Sequence, residues 1–519
     1  MSRHAIFALL LAACTRVPLP TAVAPAELES PAPASSLVVL VVVDQMGTLH
    51  LDRLPEGHRG GFARLLADGG WRGVGVYPHA KTETCPGHVT LATGAEPAVH
   101  GIPSNRFLVD GEKTYCGSLS LLRAESVGDV FRAAGGKVVG LSLKDRAAIF
   151  LGGRTPTLAA WVDRSGALVH RPSGVEEAIL VDPPLISPES VSALLAEPWT
   201  ALDAALLDAS GLPDQSDFEV DVGMGTGFPK ISASEAMSDN LGRALKVTPA
   251  GGTYLTMVAL NAVERFALGQ DATPDLLTVS YSHFDGIGHT YTPESRESVD
   301  TLLRLDRDLL TLMDGLDAAV GAGRWSVVLT ADHGAPPVAP SYVDLQSVPD
   351  RLAPVLAEAG LPSFVHIDGH GIWLDEQLDT AALVSAVPLV ESVVAGIVGV
   401  EAVVVPAAVA PDQPFADAYA AGVVPGRSAD FELLLADNHV ALYPPAGARG
   451  TTHGSPRAYD RDVPLLALGP GVRPGSGRVD VRSVAPSLAA LAGLSGPADA
   501  TVAAGPYVAT AVSSEADLP

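Results

Sequence analysis

The sequence predicts an α/β protein, a three-layer α/β/α sandwich with a largely parallel central sheet and inserted cap segments. Two observations predict it. Apolar, β-branched runs recur along the chain and alternate with helical patterns, as parallel strands joined by crossover helices require. Several of these runs also end in aspartate or histidine, at the strand ends where open α/β sheets collect their chemistry. The chain has 519 residues, 47% of them hydrophobic. That is enough for a large core, as several domains or as one domain with heavy insertions.

At the N-terminus, Arg3 and His4 precede the apolar run "AIFALLLAA", which ends at Cys14. The run is too short to cross a bilayer as a helix and reads as an export signal, residues 1–14. The tetrad "LAAC" is similar to a bacterial lipoprotein box, so Cys14 is the expected lipidation site. A plain signal peptide with an unrelated cysteine is the other reading. Residues 15–36 are rich in Pro and Ala without periodicity, the composition of a semi-rigid tether. The expectation is an exported bacterial protein, periplasmic or held at the outer membrane by its N-terminal lipid.

The ordered region opens with "SLVVLVVVDQM", a continuous run of the kind buried on both faces of a sheet, ending in Asp44. "DLLTVSYSHFD" ends at Asp285, "WSVVLTADHG" at Asp332 and His333, and "VPLLALGPGV" follows His453. Residues 295–320 between them have a helical pattern. Residues 155–260 and 338–450 are irregular, with many Pro and Gly, and read as insertions forming a cap or walls. The catalytic domain is expected over 37–505, with a C-terminal tail at 506–519.

The formal net charge is −26, from 59 acidic against 33 basic residues. Such a surface repels polyanions and argues against nucleic-acid binding. An anion site on this chain must be positive locally, from metal ions or a few basic side chains. No short internal repeat is present, and a monomer is the expected state.

The acidic strand ends form a constellation with three histidines. "HFDGIGH" sets Asp285 and His289 four apart, so a helical turn there aims both at one point. Asp332 and His333 are adjacent and converge only where the backbone leaves extended geometry, which Gly334 would permit. His453 lies in a loop before the next strand. Mixed Asp and His ligands suit Zn²⁺, and Mn²⁺ or Fe²⁺ also accept them. His366 and His370 are expected to serve the structure or the substrate side. His50, His58, His170 and His439 read as surface or core residues, and His88 and His100 as satisfied structural ones.

The stretch "KTETCPGHVTLATG" (81–94) offers three nucleophile candidates, Thr82, Thr84 and Cys85. Beyond Cys14 only Cys85 and Cys116 remain. An oxidising compartment favours a disulfide between them, and two free thiols is the alternative.

Taken in order, "VVVDQM", "TETCPGHVTLATG", "HGIPSN", "SLKDR", "FDGIGH", "TADHGA" and "THGS" resemble the alkaline phosphatase superfamily. They most resemble its threonine-nucleophile alkaline phosphatases of the PafA type, which are related to the type I phosphodiesterases and nucleotide pyrophosphatases. The resemblance runs from about residue 37 to 495. It implies an alkaline-phosphatase-like fold, a two-zinc site and hydrolysis of small phosphate monoesters. Asp285, His289 and His453 would hold one Zn²⁺, and Asp44, Asp332 and His333 the other, with the Thr84 oxygen completing the second. Thr84 would be the nucleophile and Asn105 a ligand of a phosphoryl oxygen. Lys144 and Arg146 would grip the phosphoryl group.

The residues around Thr84 suit that role. Pro86 fits the first turn of a helix, where its missing N–H costs nothing. Thr84 and Cys85 would then sit at a helix N-terminus, which favours an anion. Lys144 and Arg146, two apart, would share one face of an extended segment. The implied reaction has two displacements through a phosphothreonine. Thr82 is left as a structural hydroxyl. A sulfatase, which shares the fold, needs Cys/Ser-x-Pro-x-Arg, and here Pro86 follows Cys85 directly with no arginine at that offset. A phosphodiesterase is the closer rival, because it uses a similar threonine, metal set and asparagine but lacks the Lys-x-Arg pair. A non-catalytic binding protein on the same fold should have lost a ligand or the nucleophile, and none is lost.

Overall fold

The run Leu37–Val42 forms a strand in which all six side chains are buried. Burying each such Val or Leu is worth about 1.5–3 kcal/mol, so this strand can only be central. It pairs in parallel with Asp275–Ser280 on one side and Trp325–Thr330 on the other. In this computed structural model, residues 35–509 are described apart from 56–58, 68, 173–174, 176, 338–340, 363, 376–377 and 442–449. The export signal with Cys14, the tether through residue 34 and His58 lie outside the described residues. Among those described, no helix is long and apolar enough to cross a membrane.

The main sheet has ten strands in the order Gly475–Asp480, Trp71–Val76, Asp462–Leu468, Trp325–Thr330, Leu37–Val42, Asp275–Ser280, Val138–Ser142, Leu158–Val162, Leu168–His170 and Ile179–Leu180. It is mixed and mostly parallel. Asp462–Leu468 runs antiparallel to both neighbours, and the last two strands are antiparallel additions at one edge. Two sets of helices flank it. Ala250–Arg265, Arg296–Ala319 and His283–Tyr291 pack together in one set. Thr84–Thr93, Asp145–Gly152, Val127–Ala133 and Val484–Leu491 form the other. This is the expected three-layer α/β sandwich.

Residues 155–260 do not form one insertion. Leu158–Val162, Leu168–His170 and Ile179–Leu180 extend the main sheet, and Ala250–Arg265 belongs to a flanking layer. Many Pro and Gly residues in the connections obscured short edge strands that lack a long apolar run. Residues 341–441 are different. They build a separate four-stranded antiparallel sheet, Phe364–Asp368, Gly371–Leu374, Phe431–Leu435 and Val400–Val404. Helices Val348–Glu358 and Thr380–Val394 cover it over a distinct apolar core that includes Leu352, Ile372, Val390 and Phe431. The expected tail begins too early. Tyr507 and Val508 are buried, and Val508 bridges to Val472.

Candidate active site

Thr84 is the first residue of helix Thr84–Thr93, with Cys85 and Pro86 following in its first turn. Gly87 lets this helix touch the turn after strand Trp325–Thr330, where a Cβ would stand 2.3 Å from the Asp332 carbonyl oxygen. His88 reinforces the contact. Its Nδ1 donates to the Thr84 carbonyl at 2.9 Å and lies 3.1 Å from Asp332 Oδ2, while Nε2 bonds Ser280 Oγ at 2.9 Å. The nucleophile candidate is thus tied to two strand ends.

Asp285 and His289 lie one turn apart on helix His283–Tyr291, with Nε2 3.1 Å from Asp285 Oδ1. His453 brings its Nε2 to 3.6 Å from the same oxygen. Asp44 follows the central strand, and His333 Nε2 stands 3.5 Å from its Oδ1 and 3.4 Å from Asp332 Oδ2. Two triads result, Asp285–His289–His453 and Asp44–Asp332–His333, each with ligand atoms within 4.8 Å of one another. The His333 and His453 rings stack at 3.6 Å and join the triads. Gly334 does not adopt a left-handed backbone. Its missing side chain instead admits the Tyr459 carbonyl, which a Cβ would meet at 2.1 Å.

The donor set fits a metal ion. Nδ1 of each triad histidine bonds a backbone carbonyl, His289 that of Thr451, His333 that of Gly334 and His453 that of Thr82, at 2.8, 3.0 and 2.8 Å. This fixes the proton on Nδ1 and leaves Nε2 as a lone-pair donor at His333 and His453, whereas at His289 burial works against charge but Asp285 holds the imidazole above its ordinary range. Burial keeps His333 and His453 neutral by pushing both imidazoles down. Among the described residues, Asp44 Oδ1, Asp332 Oδ2 and His333 Nε2 are buried without a hydrogen-bond partner, and all three face one another. Three unsatisfied ligand atoms in one buried triad are costly unless a cation joins them. Burial, then Asp332, also pushes the Asp44 carboxyl well up.

Lys144 does not lie on an extended segment with Arg146. It caps helix Asp145–Gly152, and Arg146 is that helix's second residue. The chain turns right after strand Val138–Ser142, and the turn still sends both side chains to one place. Lys144 Nζ and Arg146 Nη2 each stand 3.4 Å from Thr84 Oγ1. Lys144 Nζ also bonds Asp44 Oδ2 at 2.7 Å and Asp285 Oδ2 at 2.6 Å, one carboxylate from each triad. Burial works against its charge, but Asp285 and Asp44 hold the ammonium above its ordinary range.

Asn105 is held at Cys85, next to Thr84 in the chain. Its Oδ1 accepts the Cys85 N–H at 2.9 Å. Cys85 and Cys116 form a disulfide. Thr82 donates to the Ser455 carbonyl at 2.9 Å and its own carbonyl holds His453, so its hydroxyl is structural. His100 bonds Thr90 and the Ile102 N–H, and His50 bonds the Gly47 carbonyl. His370 pairs with Glu432 at 2.9 Å beside the site, and His366 Nδ1 meets Lys113 Nζ at 3.2 Å.

Four residues of the site carry no sequence signal of their role. Gln45 sends Nε2 to Asp285 Oδ1 at 2.7 Å and its N–H to Asp332 Oδ1 at 3.2 Å, bridging the triads. It does so at φ +70°, a conformation that costs a non-glycine residue about 1–3 kcal/mol. Glu83 accepts the Asn105 N–H at 2.7 Å. Tyr115 reaches Arg146 with its hydroxyl at 3.4 Å. Asp460 accepts the Gly454 and Ser455 N–H groups at 3.1 and 2.7 Å, holding the loop that presents His453. The cleft in front has a volume of about 490 Å³. Arg106, Arg146 and Arg243 line it together with the carboxylates Glu83 and Asp368.

A mostly parallel sheet with two Asp/His triads beside a threonine that opens a helix is the architecture of the phosphatase and phosphodiesterase hydrolases. The chain belongs to the type I phosphodiesterase/nucleotide pyrophosphatase family, whose description matches residues 38–388. It is 31% identical to alkaline phosphatase PhoK of Sphingomonas sp, covering 89% of each chain. It is 27% identical to alkaline phosphatase PafA of Elizabethkingia meningoseptica, covering 88% of this chain and 92% of that one. The crystal structure of wild-type PafA superposes with a TM-score of 0.80 at 26% identity, over 92% of this chain and 100% of the other. The resemblance read from the motifs is borne out, and the chain is a hydrolase of this phosphoesterase superfamily.

Proposed function

We propose that the chain is a metal-dependent phosphate monoesterase of the alkaline phosphatase type, acting through a phosphothreonine at Thr84 and a site for two Zn²⁺. The observation that supports it most is the approach of Lys144 and Arg146 to the Thr84 oxygen, both at 3.4 Å. A monoester brings a dianionic phosphoryl group, and two converging cations answer that charge better than they answer the single charge of a diester.

Asp285, His289 and His453 would hold one ion, and Asp44, Asp332 and His333 the other. The bound ions would supply Lewis acidity that eases ionisation of the Thr84 hydroxyl and neutralises charge on the phosphoryl group. The chain does the rest. The N-terminus of helix Thr84–Thr93 orients the Thr84 oxygen and favours negative charge there. Lys144, Arg146 and the Asn105 amide bind the phosphoryl oxygens. Thr84 displaces the leaving alcohol, and water then displaces Thr84 to release phosphate. We also propose export and anchoring through a lipid on Cys14, which the "LAAC" tetrad supports.

A second reading, a phosphodiesterase, has one observation in its favour. Val220, Val222, Val440 and Ala441 line the cleft and could seat a second ester group. Comparing p-nitrophenyl phosphate with bis(p-nitrophenyl) phosphate separates the two. We expect a higher kcat/KM for the monoester, and the reverse order overturns the monoesterase reading. Thr84→Ala should lose at least about a thousandfold in kcat. Undiminished hydrolysis by that variant would remove Thr84 as nucleophile.

A further inference from the structure

Asn105 is held at three atoms, and two of them lead to the same disulfide. Its side-chain Oδ1 accepts the Cys85 N–H at 2.9 Å. Its backbone carbonyl accepts the Cys116 N–H at 3.1 Å. Cys85 and Cys116 are bonded to each other, and both are fully buried. The third contact is the Asn105 N–H on Glu83 Oε2, at 2.7 Å.

The topology explains why such a clamp is needed. Asn105 and Cys116 are the two feet of a hairpin, strands Arg106–Val109 and Glu112–Tyr115. That hairpin is a two-stranded sheet of its own, outside the main sheet. A ribbon of two four-residue strands is marginal by itself. Cys85 is the second residue of the helix that Thr84 begins. The disulfide therefore fastens the hairpin's second foot to the first turn of the Thr84 helix, and the first foot, Asn105, is trapped between them. The clamp also sets the direction of the amide. With Oδ1 taken by the Cys85 N–H, the NH₂ group is the end left for a ligand, and Asn105 lines the cleft. A flipped amide would set donor against donor.

We propose that the Cys85–Cys116 disulfide is a positioning element of the catalytic site: it holds the Asn105 amide against the Thr84 helix so that its NH₂ meets the phosphoryl group in the transition state. The proposal rests on the reading of Asn105 as a phosphoryl ligand. The cysteines touch no substrate and act through Asn105 alone.

A double-mutant cycle tests this. C85A/C116A, N105A and the triple variant are compared with the wild type for kcat/KM on p-nitrophenyl phosphate, metal content and thermal midpoint. C85A/C116A should lose roughly tenfold in kcat/KM at unchanged metal content, because the amide is displaced rather than removed. N105A should lose at least as much. Adding C85A/C116A to N105A should change kcat/KM by less than about twofold, although the thermal midpoint falls in both backgrounds. A merely structural crosslink would instead give losses that multiply, or no loss in kcat/KM at all, and either result overturns the proposal. An N105A enzyme with wild-type kcat/KM overturns the phosphoryl-ligand reading itself, so the two failures are told apart. If C85A/C116A does not fold, Cys116→Ser alone is carried through the same cycle with the same criteria.

Discussion

The Lys144 ammonium stands 2.6 Å from Asp285 Oδ2, inside the triad that the phosphoryl-binding role of Lys144 would not by itself require it to touch. It reaches Asp44 in the other triad as well, so one side chain is both counter-ion of the carboxylates and neighbour of Thr84. The two roles separate on substitution. Lys144→Ala should lower monoester kcat/KM by about 10²–10³, as loss of one transition-state cation does. It should not weaken metal retention, because it removes a positive charge from the ligand carboxylates. Metal content by mass spectrometry and kcat/KM on monoester and diester check this, with the smaller loss expected for the diester.

Gln45 links the same two triads through one amide and one backbone N–H. Gln45→Ala removes the bond to Asp285 Oδ1 and loosens a ligand carboxylate that Lys144 then holds only through Oδ2. Groups that orient metal ligands in this way typically contribute 10–100-fold to affinity. The variant should lose metal and activity at a chelator concentration lower by about that factor. Added Zn²⁺ should restore activity. Titration with EDTA, read by activity and by bound metal, gives the result.

Gly87 is where the Thr84 helix meets the Asp332 turn. Gly87→Ala places a Cβ 2.3 Å from a backbone oxygen that cannot rotate away. Overpacking of this kind costs about 1–3 kcal/mol. The displacement falls on Thr84 and Asp332 together, so kcat should fall with stability. Chemical denaturation and kcat measured on the same preparation check both.

The loop that presents His453 depends on a buried carboxyl, Asp460, which burial pushes up to about 7. Its folded-state value lies above the ordinary carboxyl range, so the folded state holds the proton more tightly than the unfolded one. That contribution to stability is complete below about pH 4 and is lost as the pH rises to about 7. Asp460→Asn keeps an acceptor for the Gly454 and Ser455 N–H groups and cannot ionise. Its stability should therefore fall less than that of the wild type between pH 4 and 8, by on the order of 4 kcal/mol at about 1.4 kcal/mol per unit. Denaturation midpoints of both proteins across that range test it, and parallel curves would remove Asp460 as the cause.

Much of the site is legible in the sequence because its residues sit at strand ends. Asp44 and the Asp332–His333 pair each close an apolar run that can only be a buried strand, and Asp285 lies in the first turn of the helix after another. The spacing of Asp285 and His289 is a helical turn, and a helical turn is what they occupy. Pro86 marked the first turn of the helix that Thr84 opens. These features depend on contacts within a few residues, which local periodicity records.

Tertiary structure decided the rest, because those contacts join residues far apart in the chain. Gln45 to Asp285 and Asp460 to the His453 loop are polar bonds that leave no periodic trace. Lys144 and Arg146 converge on Thr84 across about sixty residues, through a helix start where spacing alone suggested an extended segment. The edge strands within 158–180 are too short to be seen as apolar runs, and only pairing with Val138–Ser142 and with each other makes them strands. Local sequence therefore determined which side chains end the strands and start the helices, and so which chemistry is present. The long-range packing of Gly87 on Asp332, and of the Asn105 hairpin on Cys85, decided how those groups face one another, because backbone separations of this kind are set by the whole core.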